Sequence, residues 1–202
     1  MAGKREALRN ELTRRLLEAA TGRMERYGLD GVSAREITAD AHCGLGTIYK
    51  CYRDLDELIL HVNSRTLKQL DSALAHAVQP KDPPNVRLVH LALAYLDFAV
   101  GNNNAWSALF KHRMSANAPV PDWHIAEHRA LFQHICRPLL EIDPSLTEEA
   151  LGIRARTIFA AVHGIVTLSI EGKFVGLERD VVSAELETVV HALVRGLKTG
   201  AA

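Results

Sequence analysis

The side chains best suited to recognising another molecule lie close together, between Leu45 and Lys50. Within this stretch Thr47, Tyr49 and Lys50 offer a hydroxyl, a phenol and an ammonium group, which donate hydrogen bonds to phosphate oxygens and base edges. The apolar spacing predicts a short helix here, preceded by another short helix and a tight turn. Because the second helix of such a pair fits the major groove of DNA, the pattern predicts a helix-turn-helix unit.

The first helix of this predicted pair starts with a capping box. Ser33 stands three residues before Glu36, a spacing at which the two side chains satisfy free backbone N–H groups of a helix start. Gly46 would let the backbone approach DNA, Leu45 would contact a thymine methyl group, and Tyr52 would reach a phosphate. The residues predicted to bind DNA are Ser33, Arg35, Leu45, Gly46, Thr47, Tyr49, Lys50 and Tyr52.

A second motif would support a different chemistry. His124, Glu127 and His128 form the H-x-x-E-H pattern of inverted zinc proteases, with both histidines on one face of a predicted helix. The motif fixes only three letters and no third ligand is marked out, so an ordinary polar helix face also explains it. A metal-dependent hydrolase using His124 and His128 is the alternative function. We predict no metal, cofactor or catalytic residue, since no nucleophile set, paired carboxylates or phosphate loop stands out.

Aromatic side chains and histidines concentrate in the middle of the chain, on three consecutive predicted helices. These helices would meet around either a packed core or an apolar cavity with a few polar groups, and both interpretations stay open. A cavity would suit a mostly hydrophobic small molecule that the histidines orient by hydrogen bonds. The residues predicted to line it are Tyr95, Trp106, Phe110, Trp123, His128, Phe132 and His163.

Composition indicates a globular protein of the reducing cytoplasm. The formal net charge is zero, but residues 1–53 carry ten Lys/Arg against seven Asp/Glu, a mild excess of the sign that suits DNA. The three cysteines form no pairing pattern. The longest apolar run, Ile158–Ile170, is shorter than the ~18 residues of a membrane span, and no secretory signal is recognisable.

The helices that position these residues can be read from apolar periodicity and from capping signals, such as Thr147 as the N-cap of one of them. We expect an all-α fold of about nine helices, in which residues 1–53 bind DNA and residues 54–202 bind an effector and dimerise. Besides the short pair, the predicted helices are Asn10–Tyr27, Leu55–Val78, Asn85–Gly101, Ala105–Arg113, Asp122–Glu141, Thr147–Lys173 and Val181–Lys198.

The last two predicted helices are apolar on more than one side, which predicts a partner for each of them. A second copy of the chain would cover both helices in a four-helix interface. Either Val190 or Val194 is predicted to face that partner.

The segment Leu16–Leu58 resembles the DNA-binding region of the tetracycline-repressor (TetR) family of transcriptional regulators. Four residues depart from the family pattern. His42 replaces the usual turn Gly, Gly44 the usual capping Ser, Cys51 a common His or aromatic residue, and Leu55 a common phosphate-binding Lys. The resemblance rests on Ala19, Ala20, Met24, Gly28, Val32, Ser33, Ile37, Ala41, Gly46, Thr47, Ile48, Tyr49, Tyr52, Glu57 and Leu58.

The resemblance implies a ligand-responsive repressor that binds its operator as a homodimer. In the family a small-molecule effector usually releases the DNA, and no membrane is involved. One further segment, Ala160–Val166, is similar to the Trp-His-Gly motif of some C-terminal domains in the family, although here the Trp is absent.

Overall fold

The computed structural model describes residues 2–115, 118–172 and 178–199. Within these ranges there are nine α-helices and no strand, which confirms the all-α prediction. The helices are α1 (Ala2–Tyr27), α2 (Ala34–Asp40), α3 (Ile48–Cys51), α4 (Leu55–Ala77), α5 (Pro84–Gly101), α6 (Asn103–Lys111), α7 (Asp122–Ile142), α8 (Glu148–Glu171) and α9 (Arg179–Thr199), with 3₁₀ turns at Leu29–Gly31 and Leu45–Thr47.

The chain divides into two compact units, and α4 and α7 contribute residues to both. The first unit comprises Met1–Lys68 and Asn102–Ile125, and the second comprises Gln69–Gly101 and Ala126–Ala202. The predicted functional boundary after residue 53 is a separate matter and stays a prediction.

The core of the first unit is built on one stripe of α1. Leu16, Ala20 and Met24 recur every four residues on this stripe and are fully buried. They pack in one apolar cluster with Ile37 of α2 and Ile48 of α3. The cluster also takes in two small residues of α6, Ala105 and Ala108.

The core of the second unit is formed by buried faces of α5, α8 and α9. The buried residues of α8 are Ala155, Ile158, Val162 and Val166, and those of α9 are Val182, Leu186, Val190 and Val194. The prediction that Val190 or Val194 faces a partner is therefore wrong, because both side chains are buried within the single chain. Periodicity showed that α9 is apolar on more than one side but could not show which side points inward.

The predicted capping residues are confirmed by their hydrogen bonds. Ser33 Oγ accepts from the Glu36 backbone N–H at 3.3 Å, and Thr147 Oγ1 accepts from the Ala150 N–H at 3.2 Å. The start of α1 differs from the prediction. It begins at Ala2 instead of Asn10, because the residues between are mostly good helix formers.

The end of α8 also differs from the prediction. The helix ends at Glu171, where Gly172 takes the left-handed conformation with φ 61°. Lys173, where the sequence predicted the end, lies outside the described residues.

His42 occupies the turn between α2 and the 3₁₀ turn in an unfavourable conformation. Its φ is 49°, the left-handed region in which glycine is free of strain and other residues are not. In the resembling family, glycine is usual at this position. Backbone strain is therefore built into the turn.

Substitution at His42 should reveal this strain, because the side chain itself is exposed. We expect His42→Gly to be at least as stable as the original protein, since relief of about 1 kcal/mol of strain offsets the added chain entropy. His42→Val should lose about 1–2 kcal/mol, because a β-branched residue tolerates positive φ least. Urea unfolding measures both, and a valine variant as stable as the original protein would contradict the presence of strain in the turn.

Candidate functional site

The recognition segment, defined here as Leu45–Cys51, presents a row of side chains to solvent above one buried anchor. It consists of a 3₁₀ turn followed by the single helical turn α3. Ile48 is 0% exposed, whereas Leu45 is 54% and Tyr49 63% exposed. An exposed apolar side chain beside an exposed phenol is costly in water, and both groups can contact bases in a DNA groove.

The remaining residues of the recognition segment extend this surface. Gly46 and Lys50 are exposed and Thr47 is half-buried. A Cβ at Gly46 would meet no atom within 4 Å, so this glycine leaves the backbone open on its outer side. The segment can therefore offer donors, an apolar contact and bare backbone to one partner.

Hydrogen bonds at both ends hold the recognition segment against α1. The Arg15 guanidinium donates to the carbonyl of Ala41 and, at 3.2 Å, to that of His42. At the other end, the Tyr52 hydroxyl donates to the Thr13 carbonyl at 3.1 Å. The residues that flank the segment are thus fixed to a single turn of α1.

The predicted DNA contact by Tyr52 needs correction. Its side chain is only 6% exposed and its hydroxyl is already used within the protein. Burial raises the pKa of Tyr52 to about 12, so the phenol stays protonated and keeps donating. A tyrosine at the end of an amphipathic helix suits either a surface or a core, and here it is part of the core.

Arg23 fixes α2 in a similar way. Its guanidinium donates to the Gly31 carbonyl at 2.7 Å and pairs with Glu36 at 3.0 Å and Asp40 at 3.1 Å. The arginine side chain is mostly buried, so these interactions are screened less than ordinary surface pairs. The two short helices therefore have a defined orientation on α1.

The cations near the recognition segment differ in their availability. Arg35 and Lys50 are exposed, and neither forms an ion pair or side-chain hydrogen bond with any described residue. By contrast, Arg53 pairs with Asp54 at 2.9 Å. Ser33 is half-buried and caps α2, where its Oγ accepts the hydrogen bond of the Glu36 N–H. Arg35 and Lys50 are thus the cations most available to phosphate.

Three of the predicted effector residues lie in the first unit. Trp106, 3% exposed, packs edge-on against Phe110 with ring centroids 5.4 Å apart. Trp123 stacks on His61 at 4.9 Å with an interplanar angle of 17°. The buried position of Trp106 is typical of a core residue.

The other four predicted effector residues lie in the second unit, where three of them join one cluster. The Tyr95 hydroxyl lies 2.8 Å from His163 Nδ1. The His163 ring stacks on Phe159 at 5.4 Å, and Phe132 meets Phe159 edge-on, also at 5.4 Å. Burial lowers the pKa of His163, and likewise that of the half-buried His128, which favours neutral imidazoles.

Two members of this cluster were missed from the sequence. Phe159 and Thr167 stand four residues before and after His163, so all three share one face of α8. Thr167 Oγ1 lies 3.4 Å from His163 Nε2. The spacing was visible in the sequence, but the apolar character of α8 on all sides concealed which face was special.

The H-x-x-E-H motif lies on α7, with His124 buried and His128 half-buried. Among the described residues, no group of three or more His, Cys, Asp or Glu side chains could hold a metal ion. The arrangement therefore provides no positive support for a zinc centre.

Comparison with known proteins identifies the C-terminal part of the chain. Residues 88–193, just over half of the chain, match the family model described as "Tetracyclin repressor-like, C-terminal domain". No curated protein matches the sequence significantly.

Several solved structures are similar over nearly the whole chain. A protein of unknown function from Rhodococcus sp. RHA1 is 25% identical, with a TM-score of 0.72 over 92% of this chain and 94% of that one. A TetR-like transcriptional regulator from the same organism is 21% identical, with a TM-score of 0.62 over 93% and 96%. RolR, solved in complex with resorcinol, is 20% identical, with a TM-score of 0.67 over 94% and 89%.

The match to the family model agrees with the all-α fold, and it leaves the hydrolase alternative without support. The chain belongs to the tetracycline-repressor-like (TetR) family and is a ligand-responsive, DNA-binding transcriptional regulator, not an enzyme.

Proposed function

We propose that the protein is a cytoplasmic repressor that binds a near-palindromic operator as a homodimer and leaves it when a small aromatic effector binds. The observation that carries the proposal is the recognition segment, whose Leu45 and Tyr49 are exposed while Ile48 anchors the segment in the core. Two such segments, related by a two-fold axis, fit half-sites one helical turn of DNA apart.

Within each half-site, we assign different roles to different side chains. Leu45 suits a thymine methyl group, and Thr47 and Tyr49 suit base edges or nearby sugars. Arg35 and Lys50 suit phosphates, because their charges are not neutralised by any described neighbour. Base contacts set the operator sequence, and phosphate contacts set the register on the duplex.

The outer face of α8 supports the homodimer. This helix is long and apolar enough to cross a membrane by length and composition, yet only 22% of its most apolar window is buried within the chain. Ile153 and Leu168 are 51% and 53% exposed, and the small residues Ala160 and Gly164 lie between them on the same side. A second copy would cover this face, and small residues would let the two helices approach closely.

The second-unit cluster supports an aromatic effector with a hydroxyl group. Phe132 and Phe159 offer ring faces and edges, and Tyr95 and His163 offer a polar pair beside them. RolR, similar in fold, was solved with resorcinol, an aromatic diol. An effector of this class would stack on the phenylalanines and exchange hydrogen bonds with the Tyr95–His163 pair.

Release from DNA requires that the effector bind the DNA-free conformation more tightly than the DNA-bound one. The continuous helix α4 contributes residues to both compact units, so a shift of this helix would alter the recognition segment's position. By thermodynamic linkage, operator DNA then weakens effector binding by the same factor by which the effector weakens operator binding.

The DNA-binding role can be tested by single substitutions in the recognition segment. Lys50→Ala should weaken binding to every duplex and lower the salt slope by about 0.9, the value for a single phosphate. Thr47→Ala and Tyr49→Phe should weaken operator binding more than binding to unrelated DNA. Lys81→Ala, which removes an exposed lysine in the linker after α4, is the charge-matched control. Fluorescence anisotropy over a salt series measures all four, and unchanged affinity in the three test variants would place the DNA surface elsewhere.

The dimer can be tested on the outer face of α8. Leu168→Asp should dissociate the dimer, because it buries an unpaired charge in the proposed interface while leaving the single chain's core intact. Val100→Asp, at a similarly exposed apolar position on α5, should stay dimeric. Light scattering at micromolar concentration decides, and a monomeric unsubstituted protein would refute the proposal.

The effector site can be tested by comparing two kinds of truncation. Trp106→Ala should cost about 3–5 kcal/mol of stability, as expected for a core aromatic. Tyr95→Phe should cost only about 1 kcal/mol, yet abolish release of the operator by a panel of monocyclic phenols that includes resorcinol. Thermal melting and anisotropy measure the two effects. If no phenol releases the unsubstituted protein from the operator, or if the Tyr95→Phe variant is released by phenols as the unsubstituted protein is, this cluster is core and not an effector site.

A further inference from the structure

The N-terminal part of α1 extends beyond the core of the first unit. The helix begins at Ala2, but its first buried residue is Leu16, and no described side chain between Gly3 and Arg15 is buried. We call residues 2–12 the α1 overhang. At 1.5 Å per residue it projects by about 16 Å, or about five base-pair steps of DNA.

One face of the overhang continues the face by which α1 packs on the helix-turn-helix. At 100° per residue, Arg5, Arg9 and Leu12 lie within about 40° of Leu16 around the helix, and Leu8 lies about 80° from it. Exposure rises steadily along this face, from the fully buried Leu16 through the half-buried Leu12 to Leu8 at 62%. The same face of α1 that is buried at Leu16 is therefore exposed to solvent in the overhang.

The overhang begins beside the recognition segment. Thr13, the first residue after it, accepts the hydrogen bond from the Tyr52 hydroxyl at 3.1 Å, directly after α3. Arg15 donates to the carbonyl of His42 at 3.2 Å, just before the recognition segment. A duplex seated on the recognition segment would pass close to the start of the overhang.

Charge is distributed unevenly around the overhang. Arg5 and Arg9 are exposed, and their guanidinium groups pair with no described residue. On the opposite side of α1, Arg14 is neutralised by Glu11 at 2.6 Å and Glu18 at 2.7 Å. Arg5 and Arg9 thus place available positive charge on the face that continues toward the helix-turn-helix, whereas the exposed Lys4 lies about 120° away from Leu16 around the helix.

We propose that the α1 overhang lies along the DNA backbone flanking each half-site, with Arg5 and Arg9 on phosphates and Leu8 against the sugars. The operator footprint then extends by about five base pairs beyond the recognition segment on each outer flank. This inference rests on the proposed DNA-binding function and adds a second, sequence-independent contact to it.

The test is a double-mutant cycle between protein and DNA. In the double variant Arg5→Ala/Arg9→Ala, the slope of log affinity against log salt concentration should fall by about 1.8 per half-site. Between 50 and 200 mM salt, the double variant should therefore lose about tenfold less affinity than the unsubstituted protein does. Trimming five base pairs from each outer flank of the operator should weaken the unsubstituted protein similarly. The double variant should be insensitive to trimming, because it already lacks the interaction with the flank.

The matched control compares two single variants, Arg14→Ala and Arg9→Ala, each of which removes one positive charge. Arg14 lies on the opposite face, so the Arg14→Ala protein should bind the operator and respond to trimming like the unsubstituted protein. Alanine preserves helix propensity, and circular dichroism checks that α1 is intact. Equal effects of trimming on the unsubstituted protein and the double variant would overturn the inference. So would a double variant that keeps full DNA affinity but loses binding to phosphatidylglycerol vesicles, which would assign the overhang to a membrane surface.

The same experiment separates this inference from the proposed function. If Lys50→Ala weakens operator binding while Arg5→Ala/Arg9→Ala does not, the recognition segment binds DNA and the overhang does not. If the unsubstituted protein binds no duplex when a library of DNA fragments is screened to find its operator, the proposed function fails, and this inference with it.

Discussion

The fold of the DNA-binding region depends on the burial of Ile48 against the stripe of α1 that includes Leu16. The recognition segment is a 3₁₀ turn and one turn of α-helix, far shorter than the ~12–15 residues at which an isolated helix becomes stable in water. Its conformation must therefore come from packing. Because α1 provides the packing surface and also binds both ends of the segment through Arg15 and Thr13, it acts as the support of the whole unit.

Local signals in the sequence predicted local structure well. The capping residues Ser33 and Thr147 are confirmed because a cap involves only a side chain and a backbone N–H three residues away. The all-α fold could be predicted from periodicity because helical spacing also involves residues only three or four positions apart. Tyr52 was assigned to DNA and lies in the core, since its environment depends on Thr13, 39 residues earlier in the chain. Contacts at such separations leave no periodic signal.

The same limit explains the error on α9 and the omission on α8. Periodicity showed that both helices are apolar on more than one side, but only packing shows that Val190 faces inward and that Leu168 faces solvent. Phe159 was overlooked because its partner His163 is significant only once Tyr95 of α5 is brought beside it. The spacing of these residues along α8 could be read from the sequence, but the contact between α8 and α5 could not.

Net charge is a poor guide to this protein's partner, and the reason is local pairing. The whole chain has no net charge, and residues 1–53 have only a mild excess of basic residues. What matters to phosphate is which cations keep their charge unneutralised by a neighbouring carboxylate. Arg14 and Arg53 are paired, whereas Arg35 and Lys50 are not paired with any described residue. For the proposed DNA surface, pairing with carboxylates therefore matters as much as the number of cations, because it leaves Arg35 and Lys50 as the candidates for phosphate contact.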